Sequence, residues 1–166
     1  MTIYLVVPLL LVVAVLQTSL VPHFALWGVF VDLPILFVGS WGLLAGSREG
    51  LLWGFIAGVT TDALSGAPFG AATFALMAVG FLAGLGEANV SRAQFALPLV
   101  TIFLATVLYD LVFLLIVRIS GQPVVWLESL LRIVLPSAAL NTVLAPLIYG
   151  PMRLLHNRFI REEMEF

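Results

Sequence analysis

Residues 95–117 carry a single charged side chain, Asp110, and a stretch of that length and polarity has few places to fold. About 20 apolar residues in a helix cross the hydrocarbon of a bilayer, so such a run reads as a membrane span. Shorter apolar runs of the same kind fill most of the remaining chain. Brief breaks separate them: Pro22 with His23, the Gly46-Ser47-Arg48-Glu49-Gly50 stretch, Ser65-Gly66-Ala67-Pro68, Glu87 to Gln94, and Gly121-Gln122-Pro123. The pattern predicts helices over about 3–20, 33–45, 50–64, 69–85, 95–117 and 133–155. The second and third are short enough to form one broken or re-entrant pair instead.

Composition agrees with a lipid solvent. Apolar residues make up 62% of the chain and charged residues 10%, against ~45–50% and ~25% in soluble domains. Such a chain cannot clothe itself in polar groups as a soluble monomer. A soluble globular domain, a disordered chain and a nucleic-acid binder are therefore excluded. The 166 residues suffice for a single all-α integral membrane domain, 1–166, of about six helices, with a short cytoplasmic tail at 156–166. The start, Met1-Thr2-Ile3-Tyr4, has no basic side chain, and no A-x-A-like site follows it. The first run is expected to be a retained helix.

Arginine placement orients the helices. With six crossings, Arg48, Arg92, Arg153, Arg158 and Arg161 share one side, and Arg118 and Arg132 the other. Cytoplasmic loops are richer in Lys and Arg, so both termini are expected in the cytoplasm. Between helices 5 and 6, Pro123 to Arg132 mixes Val124, Val125, Leu127, Leu130 and Leu131 with Trp126, Glu128 and Arg132. A short helix lying on the outer leaflet and an ordinary loop with a belt tryptophan both fit. At the C-terminus, Arg158 with Glu162 and Arg161 with Glu165 have i,i+4 spacing, fitting a solvated helix end or a docking site for a cytosolic partner.

The clearest motif is a comb of small residues. Gly42, Gly46, Gly50, Gly54, Gly58, Asp62, Gly66 and Gly70 recur at a spacing of four. On one helix, Gly50, Gly54 and Gly58 fall on one face and permit close backbone contact, which matters more in lipid than apolar burial does. Gly80 and Gly84 make a shorter G-x-x-x-G. The comb fits packing within the chain or against another protein's helix. Asp62 extends the glycine face, either bonding loop amides or meeting a partner. Asp110 sits deep in a span, where an acid is a functional candidate by default. Gln17 and Asn141 are the candidate groups to face it, with Arg118 two turns along the same helix.

Catalytic signals are missing. There is no cysteine, and His23 and His156 are too far apart in the topology to form a metal cluster. No nucleophile has a base beside it, and no G-x-S-x-G, HExxH or phosphate loop occurs. No enzyme activity, cofactor or metal is expected.

Several segments together resemble a known family. They are Leu16-Gln17-Thr18-Ser19, Asp32-Leu33-Pro34, and the run from Gly50 through Gly54, Gly58 and Asp62 to Ser65-Gly66-Ala67-Pro68-Phe69-Gly70. This is similar to the bacterial rod shape-determining MreD family, whose run is a glycine-spaced helix, an aspartate and a Ser-Gly-x-Pro-x-Gly-like turn. One departure is Val31, where the family often has proline. The resemblance implies a non-enzymatic, multi-pass protein of the bacterial inner membrane, within the cell-elongation (rod) complex. It implies binding to the membrane-anchored scaffold MreC, and possible contact with other elongation-complex membrane proteins. The chain would thereby help couple MreB filaments to peptidoglycan synthesis. It also implies a fold similar to the substrate-binding membrane subunits of energy-coupling-factor transporters. A vitamin-like solute in a cavity lined by Asp110 and Asn141 is the alternative function.

Overall fold

The computed structural model describes residues 2–19, 31–87 and 96–163. Pro22, His23 and Arg92 lie outside them, and so do the side chains of Arg161, Glu162 and Glu165. The described residues are helical, without strands: α1 Thr2–Ser19, α2 Leu33–Ala45, α3 Ser47–Ser65, α4 Ala71–Gly84, α5 Ala96–Ile119, α6 Trp126–Ser129 and α7 Leu135–Glu163. A π turn, Leu130–Val134, joins α6 to α7.

α2 is the hub. It touches α1, α3, α4, α5 and α7. Ten of its thirteen residues are buried, as expected of a helix that is apolar all round. Ile35, Leu36 and Val38 have no exposed surface at all. Its C-terminus meets α3 through a single residue, Gly46, at φ 91°, a left-handed conformation that favours glycine. α2 and α3 are thus two regular helices hinged at one glycine. Trp41 and Trp53 stack across the hinge with centroids 4.3 Å apart. The edge of His156 from α7 meets Trp41 at 5.4 Å, fixing the end of α7 against the hairpin.

α3 packs antiparallel on α4, and its glycines set the distance. The buried positions Gly50, Trp53, Gly54, Ala57, Gly58, Thr61 and Asp62 form one stripe at helical spacing. Gly50 lies against Gly80, Gly54 against Leu76 and Met77, and Gly58 against Thr73. A methyl built on Gly42 would stand 2.7 Å from the carbonyl oxygen of Gly80, and one on Gly54 2.9 Å from the Cα of Met77. Backbone touches backbone here, so dispersion contacts replace the hydrophobic drive that lipid does not supply.

The C-terminal third departs from the expected boundaries. Helical backbone starts at Trp126 rather than near residue 133 and runs through Glu163. Within the Pro123–Arg132 segment, Pro123–Val125 is non-helical, and the backbone from Trp126 to Arg132 is helical, mostly exposed and continuous with α7. Pro136 explains the π turn. A proline ring clashes with the carbonyl four residues back, and immediately upstream the Leu135 amide bonds the Leu130 carbonyl, five residues back. The wider turn absorbs the proline without ending the helix. Glu128 and Arg132 form an exposed ion pair of 3.1 Å on this segment.

Among the described residues, two helices are long and apolar enough to cross a membrane, Ala96–Ile119 and Trp126–Arg158; Val7–Ser19, Leu33–Ala45 and Ala71–Gly84 are apolar but shorter. The protein is an all-α chain of apolar helices.

The glycine contacts make a specific prediction. Gly54→Ala and Gly80→Ala should each lower the thermal unfolding midpoint in detergent, because overpacking costs about 1–3 kcal/mol. Gly150→Ala meets nothing within 4 Å and should leave the midpoint unchanged or raise it slightly. Equal behaviour of all three variants would show that the α3–α4 contact does not limit stability.

Candidate functional site

The polar groups of the interior gather at helix N-termini. A helix leaves its first amides without partners, and away from water each needs an acceptor.

The residue before α4 is Gly70, at φ 101°, and glycine has no side chain with which to cap the helix. Asp62, arriving from α3, supplies the acceptors. Its Oδ2 accepts from the amides of Gly70 at 2.9 Å and Thr73 at 3.0 Å. Its Oδ1 accepts from the Ala72 amide at 2.9 Å. The Thr73 hydroxyl also donates to Oδ2, at 2.6 Å. The carboxylate is only 4% exposed, and its charge faces the positive end of the α4 dipole. Gly66, at φ 65°, ends α3 in the left-handed conformation. The chain therefore turns through Gly66 and Gly70 and returns to place α4 on the carboxylate. Gly66 and Gly70 continue the spacing of four but lie in this turn, outside the packed helix face. Gly54 and Gly58 lie on that face, directed at α4.

α2 is capped in a similar way by two other helices. The Leu33 amide donates to Oε1 of Gln17 at 3.0 Å, and the Asp32 amide to Oδ1 of Asn141 at 3.0 Å. Gln17 returns a hydrogen bond from Nε2 to Oδ1 of Asp32 at 3.3 Å. Asn141 Nδ2 donates to the Thr106 hydroxyl at 3.3 Å, and that hydroxyl donates to the Ile102 carbonyl at 2.9 Å. The network ties α1, α2, α5 and α7 together, and Asn141 is fully buried within it.

Asp110 stands apart. Gln17 and Asn141 bond Asp32 and Leu33, not Asp110, contrary to the sequence expectation. The cause is that two backbone amides of α2 compete for the same acceptors. Asp110 is 8% exposed, and its Oδ2 is buried without a hydrogen-bond partner among the described residues. The Asp32 carboxylate lies within electrostatic reach of it. Asp32, Thr73 and Thr106 were not picked out as site residues from the sequence. For Asp32 a signal existed, in its position directly before Leu33-Pro34, an acid preceding a proline at the start of a helix. No group of three or more His, Cys, Asp or Glu that could hold a metal occurs among the described residues.

A bundle of apolar helices, two of them among the described residues long and apolar enough to cross a membrane, defines an all-α membrane protein. The model of the rod shape-determining protein MreD family matches residues 1–159, nearly the whole chain, and the protein belongs to that family. It is thus a member of a membrane family that determines rod shape. No curated protein and no solved structure matches it.

Asp62→Ala should leave two buried amides, of Ala72 and Thr73, and the part-buried amide of Gly70 without an acceptor, at about 1–3 kcal/mol for each buried one, and should lower the unfolding midpoint far more than Thr73→Val. The latter removes one hydroxyl donor, worth ~1 kcal/mol. Detergent thermal melts followed by circular dichroism compare them. A similar small loss in both would mean that Asp62 does not hold the α4 N-terminus.

Proposed function

We propose that this chain is a non-enzymatic component of the bacterial cell-elongation complex, and that it holds the membrane-anchored MreC scaffold. Through that scaffold it helps couple MreB filaments to peptidoglycan synthesis. The family match over residues 1–159 carries this role. The chain resides in the inner membrane, crosses it about six times through α1–α5 and α7, and keeps both termini in the cytoplasm. The arginine bias, five on one side against two on the other, supports that orientation.

On this reading the motif residues have a structural duty. Gly54, Gly58, Asp62, Gly66 and Gly70 build the α3–α4 pair, so their contribution to partner binding is indirect, through the shape they maintain. Partner contacts then fall on the outward faces, where Leu52, Phe55, Phe74 and Phe81 are exposed.

A second function has an observation in its favour. Asp110, whose Oδ2 is buried without a hydrogen-bond partner among the described residues, is the kind of polar group that a small vitamin-like solute would meet, in a fold similar to the substrate-binding subunits of energy-coupling-factor transporters. Native mass spectrometry of gently purified protein separates the two, since a bound small solute is expected only for the second.

The direct test is co-expression with the MreC of the same organism. Wild-type protein should retain the scaffold through purification in mild detergent and restore rods to a strain lacking its own copy. Gly58→Leu drives a side chain into the Thr73 backbone, so it should yield little folded protein and round cells. Wild-type protein that is monodisperse, yet neither retains MreC nor restores rod shape, overturns the proposal.

A further inference from the structure

An open cavity of about 530 Å³ lies between the last turns of α5 and the segment from Pro123 to Ile133. Its lining is of two kinds. Leu114, Val117, Val124 and Ile133 are apolar, whereas Glu128 and Arg132 bring one charge of each sign.

The cavity sits where hydrocarbon gives way to headgroups. α5 has 24 residues, about 36 Å of helix, against a hydrocarbon layer of ~30 Å. Its ends therefore reach the boundary. Leu114 is five residues before the end at Ile119, about 7.5 Å deeper. The segment on the other wall has the matching pattern. Leu127 and Leu131, one turn apart, are 70% and 58% exposed, and they run beside Glu128 and Arg132. An apolar stripe next to a charged one suits a helical segment in the interface, and Trp126 is a residue type favoured there.

The two charges are available to a ligand. Glu128 and Arg132 meet at 3.1 Å, with their side chains more than half exposed. Such a pair contributes little to stability, so exchanging it for other partners costs little. A ligand with one charge would strand the other member of the pair. A zwitterion engages both and leaves the cavity neutral. The Arg132 guanidinium can donate two parallel hydrogen bonds to a phosphate, and the Glu128 carboxylate can accept from an ammonium N–H. A quaternary ammonium has no N–H to give. Leu114 and Val117, on the α5 wall, suit the first methylenes of an acyl chain.

We propose that this cavity binds one phospholipid whose headgroup joins a phosphate to a primary ammonium, the phosphatidylethanolamine class. Arg132 holds the phosphate, Glu128 the ammonium, and the α5 wall the start of the acyl chains. The site needs only the membrane setting and is independent of scaffold binding.

The test is native mass spectrometry of delipidated full-length protein given equimolar phosphatidylethanolamine and phosphatidylcholine with the same acyl chains. Wild-type protein should retain about threefold more of the ethanolamine lipid, the ratio expected of one exposed charged contact. Glu128→Gln should abolish the preference. Arg132→Gln should weaken retention of both lipids, since both carry the phosphate. Arg118→Gln, at an exposed position outside the cavity lining, should keep the wild-type ratio. Equal retention of the two lipids by wild-type protein overturns the proposal without any variant needing to fold. A preference that survives in folded Glu128→Gln also overturns it. So does displacement of the lipid by an equal concentration of phosphoethanolamine, which marks a site for the headgroup alone. Variants that bind both lipids as wild type does, yet lose MreC on co-purification, assign the cavity to the protein partner and overturn the lipid site.

Discussion

The architecture depends on the amide hydrogens at the start of two buried helices. In water such groups bond solvent and cost little. Inside an apolar bundle each unmade bond costs several kcal/mol, comparable with a large share of a domain's net stability of about 5–15 kcal/mol. α2 and α4 both begin inside the fold, and neither has a side-chain cap of its own. The acceptors come from elsewhere in the chain: Asp62 for α4, Gln17 and Asn141 for α2. Each cap is also a tertiary contact, joining α3 to α4 in one case and α1 to α2 and α7 in the other. Local hydrogen-bond demand and global topology are thus satisfied by the same side chains.

The glycine contact makes those caps possible. Asp62 has a short side chain, and it reaches three amides of α4 only because α3 and α4 approach backbone to backbone. Gly50, Gly54 and Gly58 set that approach over the length of α3, and Gly80 answers from α4. A larger residue at any of these positions would separate the helices and lift the carboxylate off its amides. The two features are coupled, which explains why glycine spacing and the aspartate occur as one motif at the end of the same helical stripe. The turn through Gly66 and Gly70 belongs to it as well, since it determines where α4 begins.

Much of this was legible in the sequence. The apolar runs and their breakers gave α2 its ends at Leu33 and Ala45, because Asp32 and Pro34 start it and Gly46 stops it. The comb pointed to close packing, but period alone does not choose the partner helix. α4 became the answer only in three dimensions, where Gly80 faces Gly50. The comb also ran on past its meaning: Gly66 and Gly70 are required for positive φ, a different property of the same residue. Depth marks Asp110 as the acid most in need of a partner, and Gln17, Asn141 and Arg118 are its candidates in the sequence. Backbone amides carry no sequence signal, and the two at the head of α2 took both acceptors. The π turn was hidden for a related reason. The expected start near residue 133 puts Pro136 in a first turn, whereas a wider hydrogen-bond register lets the helix begin earlier and pass through it.

The division of polar groups bears on what the molecule can do. A solute that bound Asn141 or Gln17 would have to displace them from the Asp32 and Leu33 amides. Those part-buried amides would then be left without acceptors, at a cost of up to about 1–3 kcal/mol each, before any contact with the solute was counted. Only a ligand presenting its own acceptors to the same amides avoids that cost. An interaction on the outer surface faces no such obstacle, since Phe55, Phe74 and their neighbours are bonded to nothing. The capping network therefore weighs against an internal binding site and towards contact with other membrane proteins. Among the described residues, Asp110 is an interior acid whose Oδ2 no helix end engages, and its place is on α5 rather than on the hub helix α2.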